Sequence, residues 1–194
     1  MKNIKDLKQF VISKFENEAP TDLHYHGIHH ILGVLEVCNG YIEREDISEE
    51  NAYLLRTAAL LHDIAIFSSH KDHEKKSVEY ANNLLTEWGY TKPQIATIEG
   101  MIMATKLPQN PHNLLEEIIC DADLDYLGTS DFYSIGDTLY QEFMAYHMVS
   151  SKDEWNKIQI HFLENHTYHT DYAKKYRRPQ KLKYLNELRT QHLK

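Results

Sequence analysis

Histidine and aspartate stand side by side at His62 and Asp63, directly behind the apolar run AYLLRTAALL. An ionised carboxylate is expensive to bury there, and something must neutralise it. A divalent cation does so well, because imidazole and carboxylate both ligate such metals once deprotonated. A capped helix end with an exposed Asp would satisfy the pair without a metal. Two further features share the difficulty. His26 and His30 lie one helical turn apart on a stripe with Val34 and Val37, a poor place for imidazoles that lack partners. Asp121, Asp123 and Asp125 gather in another amphipathic run, and three carboxylates so close repel one another unless a cation offsets them. Taken singly, a core histidine usually bonds a carbonyl and an acidic helix end is usually solvated. Their joint order is what points to a metal centre.

The elements that must position these residues are helices. Apolar residues recur at helical rather than alternating spacing almost throughout, and only seven glycines and five prolines interrupt them. The spacing predicts a first helix over about residues 4–17, ending before Pro20. A second, over about 24–43 and capped by Thr21 or Asp22, carries His26 and His30. It is apolar on two faces and so should be central. Asp46 with Glu49 resembles a capping box for a third helix that delivers His62 and Asp63. After a polar turn at 68–72 comes a fourth helix, stopped by Gly89. Thr91 and Gln94 box a fifth that runs to Ala104. A Pro-rich loop then leads to a sixth helix from about Asn113, which holds the aspartates and is broken at Gly128. Ser130 or Asp131 opens a seventh, Ser151 with Glu154 an eighth, and a basic C-terminal helix buries Leu182, Leu185 and Leu188. The expectation is an all-α, single-domain bundle of eight to nine helices spanning 1–194, with its motif-bearing core at about 22–150.

Composition narrows the function classes. The net charge of -8 leaves only the short group Lys174, Lys175, Arg177 and Arg178 as a concentration of positive charge, which argues against duplex nucleic acid as a partner. Small anions remain open as ligands, since a local cation or metal overrides an acidic average. Cys38 and Cys120 fall inside apolar runs without metal-ligand or disulfide spacing, and no apolar run approaches the length of a membrane span. The chain therefore reads as cytoplasmic, with no membrane partner. Most of the thirteen histidines are expected at the surface.

The order of motifs, YHGIHH, then HD, then DADLDYLG, resembles the HD-domain superfamily of metal-dependent phosphohydrolases over about residues 25–128. The stretches HDIAIFSSHKDHEKKS and IMATKLPQNP are similar to an uncharacterised bacterial subgroup of it. The resemblance implies that His30, His62, Asp63 and Asp123 hold the metal, with Asp121 as the fallback for Asp123. It implies one divalent ion, drawn from Mn, Fe, Mg, Zn, Co and Ni. Two-metal members add histidines at wider intervals. Here His70 and His73 follow the dyad too soon and His112 lies close to Asp123.

The activity so implied is hydrolysis of a phosphomonoester or phosphodiester in a small phosphorylated metabolite, most simply a nucleotide. Asp123 or Asp121 would take the proton of the attacking water, and His26 would protonate the leaving oxygen. Lys106, in the Pro-rich loop, and His73, at the start of the fourth helix, are the candidates for holding phosphate, although a surface role is the commoner fate of either. Two other readings compete: a diiron oxygenase built on the same site, and a noncatalytic nucleotide-sensing module. Homo-oligomerisation stays open.

Overall fold

The computed structural model describes residues 3–68 and 71–192. His70 lies outside the described residues, so its place relative to the dyad is not assigned. Ten α-helices and two short 3-10 turns make up the described elements, with no strand among them. The all-helical expectation holds, with one helix more than predicted. The C-terminal basic stretch is broken at Arg177 into α9 (Asp171–Tyr176) and α10 (Arg178–His192).

The helices fall into two compact units. The first contains α1 (Ile4–Glu18), α2 (Ile28–Arg44), α3 (Glu49–Leu61), α4 (His73–Glu87), α5 (Lys92–Ala104) and α6 (Leu114–Asp123). Its centre is α3. Residues Thr57 to Leu61 are all buried, and α1, α2, α5 and α6 all pack on this helix. Such all-round burial explains why nearly every α3 side chain from Ala52 onward is apolar. The helix opens on Ser48, whose hydroxyl accepts from the Asn51 N–H at 3.4 Å. Asp46 is not the cap: it sits in a left-handed turn, φ 49°, between α2 and α3.

Helix α2 begins at Ile28, four residues later than the spacing predicts. Gly27 takes the N-cap position in an extended conformation, and Thr21 and Asp22 cap nothing in it. His26 therefore belongs to the turn ahead of α2. The predicted stop of α4 is correct, with Gly89 at φ 81°, where a side chain would be strained. The box at Thr91 and Gln94 is also present at the start of α5. Helix α6 opens on reciprocal bonds: Asn113 Oδ1 accepts from the Glu116 N–H at 3.1 Å, and Glu116 accepts from the His112 N–H at 2.7 Å.

The second unit includes Thr21–Tyr25 and the chain from Leu124 onward, with α7 (Phe132–Ala145), α8 (Lys152–Asn165), α9 and α10. Its core gathers Leu127, Phe132, Leu163, Tyr184 and Leu188. Gly128 is required by crowding, since a Cβ there would lie 2.5 Å from the Arg177 carbonyl oxygen. Lys181, only 3% exposed, turns its ammonium onto the carbonyls of Leu163 and His166 at the end of α8. Among the described residues no helix is long and apolar enough to cross a membrane.

Candidate metal centre

The residues expected to hold the metal, the substrate or a proton, His26, His30, His62, Asp63, His73, Lys106, Asp121 and Asp123, lie in the first unit, and Asp125 in the second. Helices α2, α3 and α6 pack on one another, which brings together His30 from α2, His62 from the C-cap of α3 and Asp123 from the last position of α6. One ligand atom from each lies within 4.8 Å of the other two. The spacings are narrower in detail. His30 Nε2 is 3.0 Å from Asp123 Oδ1 and 3.2 Å from His62 Nε2. Asp63 Oδ2 is 3.3 Å from His62 Nε2 and 3.6 Å from His30 Nε2, and His62 Nε2 is 3.7 Å from Asp123 Oδ1.

Three of these five distances fit a common cation as they stand, and the other two, 3.6 and 3.7 Å, are slightly wide. Metal–ligand bonds of about 2.1 Å place neighbouring donor atoms roughly 3.0–3.4 Å apart in octahedral or tetrahedral sites. Two imidazoles and two carboxylates suit a first-row divalent metal and supply enough negative charge to neutralise it. His62 is 1% and Asp63 3% exposed, so neither charge is dispersed by water.

The electrostatics follow from that burial. Burial works against a charged His62, yet the carboxylates of Asp63 and Asp123 outweigh it and hold the ring's pKa well above the usual histidine range. Burial likewise opposes ionisation of Asp63, but His62 lowers its pKa strongly, helped by a hydrogen bond from His73. Asp123 is lowered in the same way, against burial, by hydrogen bonds from His30 and His62. Cys38 lies on α2, two turns beyond His30. Burial, and next the charge of Asp123, push its thiol far up, so it stays protonated and offers no thiolate.

The three carboxylates of DADLD have three different settings. Asp123 joins the imidazoles, while Asp121 is fully buried and outside that group. Asp125, in the second unit, receives the Arg177 guanidinium at 2.7 Å. That ion pair accounts for its charge without a metal, and the partner lies in the basic C-terminal group.

His26 is half-buried, its ring centroid 6.0 Å from that of His30 and 5.8 Å from that of His73. His73, the first residue of α4, places Nε2 3.2 Å from Asp63 Oδ1. Beside it stands Glu74, a buried carboxylate that the sequence reading missed, with Oε1 3.6 Å from His73 Nε2. An acidic residue in the first turn of a polar helix carries no sequence signal of burial. Lys106 is exposed and paired with Asp72, the residue ahead of His73. His112 meets the side chain of Asn110.

Comparison with known proteins gives the family context. Residues 27–125, a little over half the chain, match the model of the HD domain. A solved structure of a predicted HD superfamily hydrolase from an uncultured Thermotogales bacterium is 22% identical, with a TM-score of 0.62 over 97% of this chain and 90% of its own. Bacillus subtilis YpgQ, solved in complex with ADP, is 16% identical, with a TM-score of 0.64 over 97% of each chain. These two likenesses establish a shared fold. No curated protein sequence matches the chain.

Proposed function

The chain belongs to the HD-domain family, and from that premise we propose that it is a metal-dependent hydrolase of phosphoester bonds in a small metabolite. The observation that carries this reading is the convergence of His30, His62 and Asp123 at a spacing that suits a divalent cation, with Asp63 Oδ2 beside both imidazoles. When bound there, a divalent cation supplies a nucleophile at neutral pH and polarises a phosphoryl oxygen.

The chain's own residues do the rest. His30 and His62 offer Nε2, and Asp63 and Asp123 offer one oxygen each. Asp123, partly accessible at 17% of its side chain, accepts the proton of the attacking water. His26, in the turn before α2, reaches the same space from the His30 side and protonates the departing oxygen. Lys106 binds the phosphate once it leaves Asp72. Asp121 takes no part as a ligand in this reading.

The ADP held by YpgQ puts nucleoside phosphates first among substrates. The test is a hydrolysis screen over nucleotides and sugar phosphates in Mn, Mg, Fe, Co, Ni and Zn, together with metal analysis of the purified protein. The reading requires metal-dependent turnover that is lost with the metal in His62→Ala and Asp63→Ala. Two irons per chain with oxygen consumption would replace it with an oxygenase. Tight nucleotide binding without turnover across the panel would replace it with a sensor.

A further inference from the structure

The two oxygens of Asp63 face different partners. Oδ2 lies beside His62 Nε2 and His30 Nε2, at 3.3 and 3.6 Å, while Oδ1 lies 3.2 Å from His73 Nε2. A carboxylate can bind a cation through one oxygen or through both, and the two modes set different coordination numbers and ion positions. What engages the second oxygen therefore decides the mode. An ionised carboxylate only accepts, so the His73 ring donates its Nε2–H to Oδ1.

His73 is itself held in place. It opens α4, and that helix is set against the dyad loop by a hydrogen bond from the Ala65 N–H to the fully buried Ser77 hydroxyl at 3.2 Å. On its other side, Glu74 Oε1 at 3.6 Å from Nε2 favours a proton on that nitrogen. From its place at the start of a helix, His73 is expected on the substrate's phosphate. The geometry instead directs its donor at a ligand carboxylate.

We propose that His73 is a positioning residue that holds Oδ1 of Asp63 and so reserves Oδ2 for the cation. This rests on the metal-centre reading above. Partners that orient ligating groups typically contribute 10- to 100-fold in metal affinity.

The experiment titrates Mn(II) into the chelator-treated full-length protein and its His73→Ala, His73→Gln and His73→Asn variants. Free Mn(II) is followed by paramagnetic resonance, and the melting temperature of each metal-free protein is recorded. The expected result is that His73→Ala binds Mn(II) about 10- to 100-fold more weakly at unchanged stoichiometry. His73→Gln, whose amide N–H reaches the position of Nε2, stays within about threefold of the parent protein, whereas His73→Asn, too short to reach, behaves like Ala. The metal-free melting temperatures stay together, which a purely structural role would not allow. Parent-like Mn(II) affinity in His73→Ala, or equal weakness of the Gln and Ala variants, would overturn the proposal. So would a stoichiometry of two that falls to one in His73→Ala, which would make His73 a ligand. If His73→Ala does not fold, the Gln and Asn pair decides alone. No Mn(II) binding by the parent protein would instead refute the metal-centre reading, an outcome distinct from the others.

Discussion

Nδ1 of His62 lies 2.9 Å from the carbonyl oxygen of Ala59, less than one turn back along α3. A carbonyl only accepts, so Nδ1 is the protonated nitrogen and the neutral ring presents a bare Nε2 to His30, Asp63 and Asp123. The bond satisfies an orphan carbonyl at the end of a buried helix and at the same time sets the tautomer that a metal ligand needs. An adjacent His-Asp pair at a helix C-terminus thus has a local reason: the helix end orients the imidazole, and the next residue turns its carboxylate inward.

That arrangement predicts opposite pH trends for the fold and for the cation. Burial opposes charge on His62, but the two carboxylates raise its folded pKa above the unfolded value. The stabilisation this contributes to the cation-free protein is fully present below about pH 6.5 and is lost as pH rises through the folded value. Cation binding displaces the same proton, so Mn(II) affinity should climb by roughly tenfold per pH unit above about pH 6.5 until His62 is deprotonated. Calorimetry in two buffers of different ionisation enthalpy should find about one proton released per ion. Affinity that is flat over this window would contradict the assignment.

Lys106 and Asp72 are both exposed, and each shifts the other's ionisation: the Asp72 hydrogen bond raises the Lys106 pKa, and Lys106 lowers that of Asp72. If Lys106 serves phosphate, Asp72 competes with the substrate for it. Lys106→Met should raise KM for the phosphorylated substrate by about tenfold, one charge-assisted hydrogen bond's worth. Asp72→Asn should lower KM. Steady-state kinetics on the substrate found by the screen checks both, and an unchanged KM in Lys106→Met would return the residue to a surface role.

The candidate metal centre, the grouping of His30, His62 and Asp123, was more legible in the sequence than its surroundings, for physical reasons. His30, His62 and Asp63 are polar residues within or directly after apolar helical runs, a conflict visible from residue type and period alone. Gly27 hid the true start of α2, because the apolar stripe can be extended backward through His26 although the backbone is extended at Gly27. Asp121, Asp123 and Asp125 could not be separated, since the partner that claims Asp125 is Arg177, far along the chain. The contact of His73 with Asp63 was hidden for a similar reason. It depends on the register of α4 against the dyad loop, fixed at Ser77, which no spacing rule encodes.

Gly128 tests the packing of the second unit. A Cβ would meet three Arg177 atoms between 2.5 and 2.7 Å away, two of them backbone, so relief requires backbone movement. Gly128→Ala should destabilise by about 1–3 kcal/mol, as overpacking does. A fall in Tm of several degrees is the readout. A Tm equal to that of the parent protein would show that Arg177 yields without cost.

Burial, and next the charge of Arg178, lower the pKa of Lys181 to about 8. The unfolded chain, with an ordinary lysine near 10.4, then binds more protons than the folded one between the two values. Stability should rise with pH through that window, by the linkage between proton binding and folding. Lys181→Met removes the titration and leaves the Leu163 and His166 carbonyls without the ammonium. Its Tm should be below that of the parent protein, with the deficit growing from about pH 8 upward as the parent gains stability. A deficit constant across that range would mean that Lys181 keeps its proton in the fold.

His26 decides whether the site only binds or also turns over. It is not in the group that converges on Nε2 of His30 and His62, so its loss should leave Mn(II) affinity nearly unchanged. A general acid matters in proportion to the basicity of the leaving oxygen and typically contributes 100- to 10,000-fold. His26→Ala should therefore slow hydrolysis of an alkyl phosphoester by about 100-fold or more, while an activated ester such as a nitrophenyl phosphate slows far less. The comparison must be made on kcat/KM at saturating metal, so that a lost ligand is not mistaken for a lost acid. Equal slowing of both esters would assign His26 to binding or packing. A parallel loss of Mn(II) would place it among the ligands.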